Sequence, residues 1–192
     1  MVFITFDGID GSGKSPLAEA LREALAGQGY DVTVTKEPTD GEIGRLTRRV
    51  TKGELKMDML ALQILFAADR AEHIAKFRDI IESKDRVLIS DRYYYSSIAY
   101  GEAAGADRKY LEVLNSVFPK PDLALILDVD VGIALERIAA KNSSTLFEKK
   151  EMLERTRTAF RKFSGVTFID TGRRSKEETA VEVLQLAKAL LK

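Results

Sequence analysis

The chain of 192 residues carries 30 lysine and arginine side chains against 30 aspartate and glutamate side chains, so its zero net charge favours neither nucleic acid nor an anionic membrane as a partner. It has no cysteine, which excludes disulfides and thiolate metal sites, and one histidine, which excludes a multi-histidine metal site. Its longest uncharged stretch, residues 59–68, is shorter than the roughly 18 apolar residues of a membrane span, and no basic signal-peptide segment opens the chain. We therefore expect one cytoplasmic domain.

Apolar runs alternate along the chain with segments of helical periodicity. In chain order, the pattern predicts a strand at residues 2–6, a helix at 17–25, a strand at 32–35, helices at 42–50 and 57–81, a strand at 86–90, helices at 93–101 and 107–118, a strand at 123–128, helices at 133–140 and 148–163, a strand at 166–170 and a helix at 175–191. Strands separated by helices form βαβ units, and continuous apolar strands suit a sheet covered on both faces. We predict an α/β fold, a three-layer α/β/α sandwich with a five-stranded parallel sheet.

The first predicted strand and helix are joined by a segment that fits the pattern G-x-x-x-x-G-K-S/T, which is typical of a phosphate-binding P-loop. Its glycines let backbone N–H groups turn toward a phosphate, and the following helix points its positive end at the anion. Lys14 would add a charge for the β- and γ-phosphates, and Ser15 a hydroxyl ligand for Mg²⁺. The flanking strand and helix argue against a chance glycine turn. We predict an ATP-binding loop made of Gly8, Ile9, Asp10, Gly11, Ser12, Gly13, Lys14 and Ser15.

Asp91 and Arg92 follow directly on the strand predicted at residues 86–90. Ligands of open α/β sheets bind at the carboxyl ends of the strands. Asp91 is therefore a candidate ligand for Mg²⁺, and Arg92 a candidate clamp for a transferring phosphoryl group. The alternative, a structural ion pair or helix cap, is weakened by the neighbouring P-loop. We predict Lys14, Asp91 and Arg92 as catalytic residues, and Ser15 and Asp91 as metal ligands.

Phe66 and Arg70 are four residues apart on a predicted helix and share one face, where a ring and a guanidinium could stack on a base and hydrogen-bond its edge. Taken alone, the pair favours a simpler interpretation, with Phe66 in the core and Arg70 in solvent. His73, in a charged part of the same helix, is predicted at the surface or its boundary.

Two further segments leave two interpretations open. The polar residues 141–145, which follow Arg137 between two predicted helices, suit either a lid over phosphates or an ordinary solvated loop. Arg173 follows the last predicted strand and would either approach a nucleotide base or remain solvated.

Together these segments resemble the thymidylate kinase family, P-loop kinases of nucleoside monophosphates. The resemblance covers nearly the whole chain, at residues 4–15, 36–44, 65–72, 91–100, 127–130, 134–137 and 147–148. It implies a fold of the P-loop NTP hydrolase type, with residues 1–192 forming one kinase domain and a lid at about 137–150. It also implies phosphorylation of dTMP to dTDP by ATP and Mg²⁺, on the way to dTTP, and a homodimer formed through the region of residues 57–81.

The resemblance implies roles for individual residues. Asp10 would bind the sugar 3′-hydroxyl of dTMP, Phe66 would stack on thymine, and Arg70 would donate to its O4 atom. Arg92 would bridge the dTMP phosphate and the γ-phosphate of ATP. Further substrate contacts would come from Pro38, Ser97, Tyr100 and Glu148, and further ATP contacts from Arg137, Lys141 and Arg173.

Two positions depart from the family pattern. Members of the family carry an arginine either after the P-loop acid or in the lid, whereas this chain has Gly11 and Leu146 there. We therefore expect a slow enzyme that relies on a lid lysine, with Lys141 the first candidate. Two alternatives stay open: a kinase for another pyrimidine monophosphate such as dUMP, and a regulatory nucleotide-binding protein with weak catalysis.

Overall fold

The computed structural model describes residues 1–83, 86–140 and 147–191. The strands are β1 (Val2–Gly8), β2 (Asp31–Lys36), β3 (Arg86–Asp91), β4 (Leu123–Asp128) and β5 (Thr167–Asp170). The helices are α1 (Lys14–Ala26), α2 (Glu42–Thr51), α3 (Met59–Lys76), α4 (Arg78–Glu82), α5 (Tyr94–Ala103), α6 (Arg108–Asn115), α7 (Val131–Ala139), α8 (Lys150–Phe160) and α9 (Lys176–Leu190). All five predicted strands are confirmed within a few residues.

The five strands form one parallel sheet in the order β2-β3-β1-β4-β5. Alternate residues of β1 point to opposite faces, as strand geometry requires. Ile4 and Phe6 pack with apolar residues of α1 and α9, whereas Phe3 packs on the other face with Tyr93 and Leu111. Both faces are covered, which confirms the predicted three-layer sandwich.

The prediction of a single helix over residues 57–81 is wrong in one respect, because the structure has two helices there, α3 and α4, separated at Phe77. Phe77 leaves helical geometry, with φ −104° and ψ 13°, and its ring packs edge-on against His73 at 5.2 Å between centroids. Helix α3 begins after Asp58, whose side chain accepts hydrogen bonds from the backbone N–H groups of Leu60 and Ala61.

The sheet brings the two predicted phosphate-site segments together. Strands β1 and β3 are neighbours, with Phe6 in register with Asp91. The P-loop after β1 and the Asp91–Arg92 pair therefore meet at the carboxyl edge of the sheet. Within the described part of the chain, none of the helices has the length and apolar character needed to cross a membrane.

Candidate functional site

The P-loop backbone requires glycine at two positions where the chain is crowded. Gly8 has φ +140°, and a Cβ there would lie 2.6 Å from the carbonyl oxygen of Leu127. Gly11 has φ +79°, and a Cβ there would collide with the backbone of Ala134 in α7. The departure at position 11 thus has a physical reason, because this loop cannot accept a side chain there without movement of α7.

Lys14 lies inside the loop rather than in solvent. It is buried, and its Nζ donates to the carbonyl oxygens of Gly8 at 3.1 Å and Ile9 at 2.8 Å. Burial, together with the nearby Arg92 charge, lowers the pKa of Lys14 to about 8. The two hydrogen bonds hold the Lys14 amino group at the loop, and its low pKa means that a growing fraction of the free protein has a neutral Lys14 as the pH rises above about 8.

Ser15 and Asp91 come from different elements and meet at the end of the loop. The Ser15 hydroxyl donates to Asp91 Oδ2, and Asp91 Oδ1 is buried with no hydrogen-bond partner among the described residues. Mg²⁺ prefers oxygen ligands and commonly takes one or two protein groups beside substrate phosphates. A hydroxyl and a carboxylate with an unused oxygen fit that ion.

Arg92 connects the loop with a neighbouring cavity. Its Nη1 donates to the carbonyl oxygen of Gly8 at 3.3 Å and to Ser96 Oγ at 3.2 Å, and its Nη2 donates to Asp10 Oδ1. Its guanidinium also lies 5.4 Å from the centre of the Tyr100 ring. Burial alone would raise the pKa of Asp10, but the charges of Arg92 and Lys14 outweigh it and hold that pKa below its ordinary value.

The cavity gathers most of the predicted substrate residues in one place. Seven of them line it: Asp10, Pro38, Phe66, Arg70, Arg92, Ser97 and Tyr100. Sequence reasoning missed five others, namely Glu37, Thr51, Tyr93, Ser96 and Phe147. Glu37 directly follows strand β2, so the rule that ligands bind at the carboxyl ends of strands could have identified it.

The interpretation of Arg70 as a solvent-exposed residue is wrong. Its side chain is 1% exposed, and its Nε and Nη2 donate to Glu37 Oε2 at 2.9 and 2.6 Å. The remaining bonds run from Nη2 to Ser97 Oγ at 2.9 Å and from Nη1 to Asn115 Oδ1 at 2.5 Å. These partners hold the guanidinium against the cavity that Phe66 also lines.

The surface position predicted for His73 is wrong as well. The ring is buried, with Nδ1 2.9 Å from Glu37 Oε1 and Nε2 2.6 Å from Thr35 Oγ1. His73 lies three residues after Arg70 on α3, so both side chains reach the same buried carboxylate. Glu37 is thus shared between a guanidinium and an imidazole.

The remaining predicted residues lie around the loop. Arg137 donates to the carbonyl oxygens of Gly11 at 3.3 Å and Thr171 at 2.9 Å, which holds it beside the P-loop. Arg173 has a 91% exposed side chain. Glu148 is half-buried and follows the cavity residue Phe147. Lys141 and Leu146 lie outside the described residues, as do residues 141–146 of the predicted lid as a whole.

Comparison with known proteins gives a consistent result. A family model described as thymidylate kinase matches residues 6–182. A probable thymidylate kinase of Pyrococcus horikoshii is 46% identical over 158 residues, which cover 80% of this chain and 77% of that protein. A probable thymidylate kinase of Sulfurisphaera tokodaii is 38% identical over 195 residues, which cover 99% of this chain and 97% of that protein.

A solved structure supports the fold independently. It is a thymidylate kinase of Candida albicans, which matches with a TM-score of 0.81 at 23% identity and covers 98% of this chain and 91% of that one. The matches in sequence extend over nearly the whole chain, from the P-loop to the last helix. The chain therefore belongs to the thymidylate kinase family.

Proposed function

We propose that the chain transfers the γ-phosphoryl group of ATP to the phosphate of dTMP, forming ADP and dTDP, and that it uses Mg²⁺. One observation carries the proposal: Arg92 contacts the P-loop at the Gly8 carbonyl oxygen and also lines the cavity formed by Phe66 and Arg70. A guanidinium in that position can contact a phosphate on either side. The donor and acceptor phosphates would then meet at one residue.

On the ATP side, the P-loop N–H groups and Lys14 would hold the β- and γ-phosphates. Ser15 and Asp91 would hold Mg²⁺, which when bound neutralises charge on those phosphates. Arg137, beside the Gly11 carbonyl oxygen, adds a cation at the same loop.

On the dTMP side, Phe66 supplies a ring that can stack on thymine. Arg70 has five N–H donors, of which four take part in the bonds to Glu37, Ser97 and Asn115. One N–H therefore lacks a partner within the described residues and can donate to the O4 atom of thymine. Asp10, fixed by Arg92 and by the Tyr100 hydroxyl at 3.1 Å, can accept from the sugar 3′-hydroxyl.

Phosphoryl transfer needs little covalent help, because positioning and charge neutralisation provide most of the catalysis. Arg92 would align the two phosphates and stabilise the charge that develops on the transferring group. Phe147 and Tyr100, packed at 5.3 Å between ring centres, form an apolar wall that limits water beside the acceptor.

The substrate is tested by measuring ADP release with a panel of nucleoside monophosphates at saturating ATP. We expect the highest kcat/KM with dTMP, about 10- to 200-fold above dUMP, because one methyl group in an apolar pocket contributes roughly that much discrimination. A kcat/KM for dUMP above that for dTMP would favour the alternative of a kinase for another pyrimidine monophosphate. Nucleotide binding without turnover of any monophosphate would favour the regulatory alternative.

ATP binding should weaken above neutral pH because of Lys14. The pKa of Lys14 is lowered to about 8, and ATP phosphates favour its charged form. At pH 9 only about one tenth of the free protein carries that charge, so the Kd of a non-hydrolysable ATP analogue should rise about tenfold between pH 7 and pH 9. Calorimetry at pH 9 in two buffers of different ionisation enthalpy should detect proton uptake on binding. If proton uptake on binding persists in the Lys14→Met variant, the proton is taken up by another group.

The homodimer implied by the family resemblance and the cytoplasmic location expected from the composition stay predictions. The apolar side chains of Leu60 and Ile64, exposed by 46% and 45%, project from α3, the helix named for the dimer contact. They lie one helical turn apart and so share a face. A second copy of the chain would cover them.

A further inference from the structure

The backbone of Arg92 is held in an uncommon conformation. Its φ of 74° lies in the left-handed region, and it is the one non-glycine residue with positive φ among the residues that the structure describes. Such a conformation is energetically unfavourable and persists only where the surroundings impose it. The residues around Arg92 therefore help to hold its backbone and so to orient its side chain.

Hydrogen bonds fix the chain on both sides of Arg92. Its own N–H donates to the carbonyl oxygen of Phe6 at 2.8 Å, and its carbonyl oxygen accepts from Ser90 Oγ at 2.7 Å. Directly after it, the N–H of Tyr93 donates to Asp7 Oδ1 at 3.0 Å. The acid that completes this arrangement thus comes from the neighbouring strand β1.

Asp7 also controls the start of helix α5. The N-cap residue Tyr93 makes no side-chain capping bond, and Asp7 Oδ1 instead accepts from the N–H of Ser96 at 2.9 Å. The same oxygen accepts from the Ser96 hydroxyl at 2.6 Å, and that hydroxyl in turn accepts from Arg92 Nη1 at 3.2 Å. One carboxylate oxygen therefore bonds the N–H of Tyr93, directly after Arg92, and is linked to the Arg92 guanidinium through the Ser96 hydroxyl.

Asp7 is 0% exposed, so it cannot contact a substrate itself. Its second oxygen, Oδ2, is buried without a hydrogen-bond partner among the described residues. Burying an incompletely bonded carboxyl group is costly. An acid at this place is therefore poorly explained by stability alone, and a role in aiming Arg92 accounts for it.

We infer that Asp7 is a positioning residue for phosphoryl transfer, which acts by holding Arg92 through the Tyr93 N–H and the Ser96 hydroxyl. The inference rests on the proposed function, because it needs Arg92 at the acceptor phosphate. Asp7→Ala should lower kcat and weaken dTMP binding by about 10- to 100-fold, as removal of supporting residues does at other sites. ATP-analogue affinity should change less than about threefold.

The test is a double-mutant cycle of Asp7→Ala and Arg92→Ala, read by kcat and by the calorimetric Kd for dTMP. If Asp7 acts through Arg92, Asp7→Ala should change neither value by more than about twofold when Arg92 is already alanine. Asp7→Asn, which keeps an acceptor at Oδ1, should retain most of the parental activity. Ser96→Ala should show a smaller loss in the same direction and serves as the second route if Asp7→Ala does not fold.

Thr179→Ala is the matched control, because it removes a buried hydroxyl that bonds the Ser175 carbonyl oxygen at the start of α9 and does not line the cavity. Independent effects in the cycle, or losses no larger than those of Thr179→Ala, would overturn the inference while leaving the proposed function standing. A parent protein without turnover of dTMP would overturn both. An Asp7→Asn variant as weak as Asp7→Ala would contradict the assignment of the acceptor oxygen.

Discussion

Replacing Lys14 with methionine is expected to lower kcat about 10²- to 10³-fold, the loss typical when one preorganised charge or donor for the transition state is removed. The fold should tolerate the change, since methionine is similar in length and a buried ammonium group is costly without its ligand. Steady-state ADP release and a thermal unfolding curve on the same preparation separate the two effects.

Lys188→Met is a suitable control, because Lys188 is an exposed lysine near the end of α9, far along the chain from the loop. It should leave both kcat and the unfolding midpoint near the parental values. A Lys14→Met variant that keeps turnover within a few-fold of the parent would place the phosphate site elsewhere.

Replacing Arg70 with methionine is expected to damage stability as well as binding. Glu37, whose side chain is 3% exposed, would remain as a buried carboxylate without its guanidinium. Breaking a buried ion pair by removing one partner costs about 3–5 kcal/mol in the free energy of unfolding. Loss of a charge-assisted hydrogen bond to thymine, worth about 1.5–3 kcal/mol, should also raise the KM for dTMP about 10- to 100-fold.

The double variant Arg70→Met/Glu37→Gln distinguishes these two effects. Glutamine removes the buried charge, so denaturant unfolding should show recovery of part of the lost free energy. The KM for dTMP should stay high, because no donor to thymine has been restored. The KM for ATP serves as the internal reference, and an equal rise in both KM values would contradict the assignment of Arg70 to the base.

The candidate phosphate site was largely predictable from the sequence, because its information is local. The spacing of Gly8, Lys14 and Ser15 follows from the geometry of a loop around a phosphate. Asp91 and Arg92 follow directly on an apolar strand, and the rule for parallel sheets places them at the same edge.

The candidate base site was less predictable, because its contacts join distant parts of the chain. Glu37 and Arg70 are separated by 33 positions and Arg70 and Asn115 by 45, and each residue alone suits a solvated surface. Only the packing of α3 against α6, next to Glu37 at the end of β2, makes them a buried network, and His73 is buried in the same network. The helix break at Phe77 escaped prediction because the apolar periodicity continues through it.

The crowding at Gly11 has a consequence for how such a kinase can change over evolutionary time. Since any Cβ at this position meets the Ala134 backbone, a single codon change to arginine would have to be accompanied by a shift of α7. A variant with arginine there and α7 unmoved would carry a distorted P-loop, so the gain in charge would be offset by weaker phosphate binding. In this lineage, a cation for the transition state is more accessible through substitutions outside the loop, where Arg137 already approaches the Gly11 carbonyl oxygen.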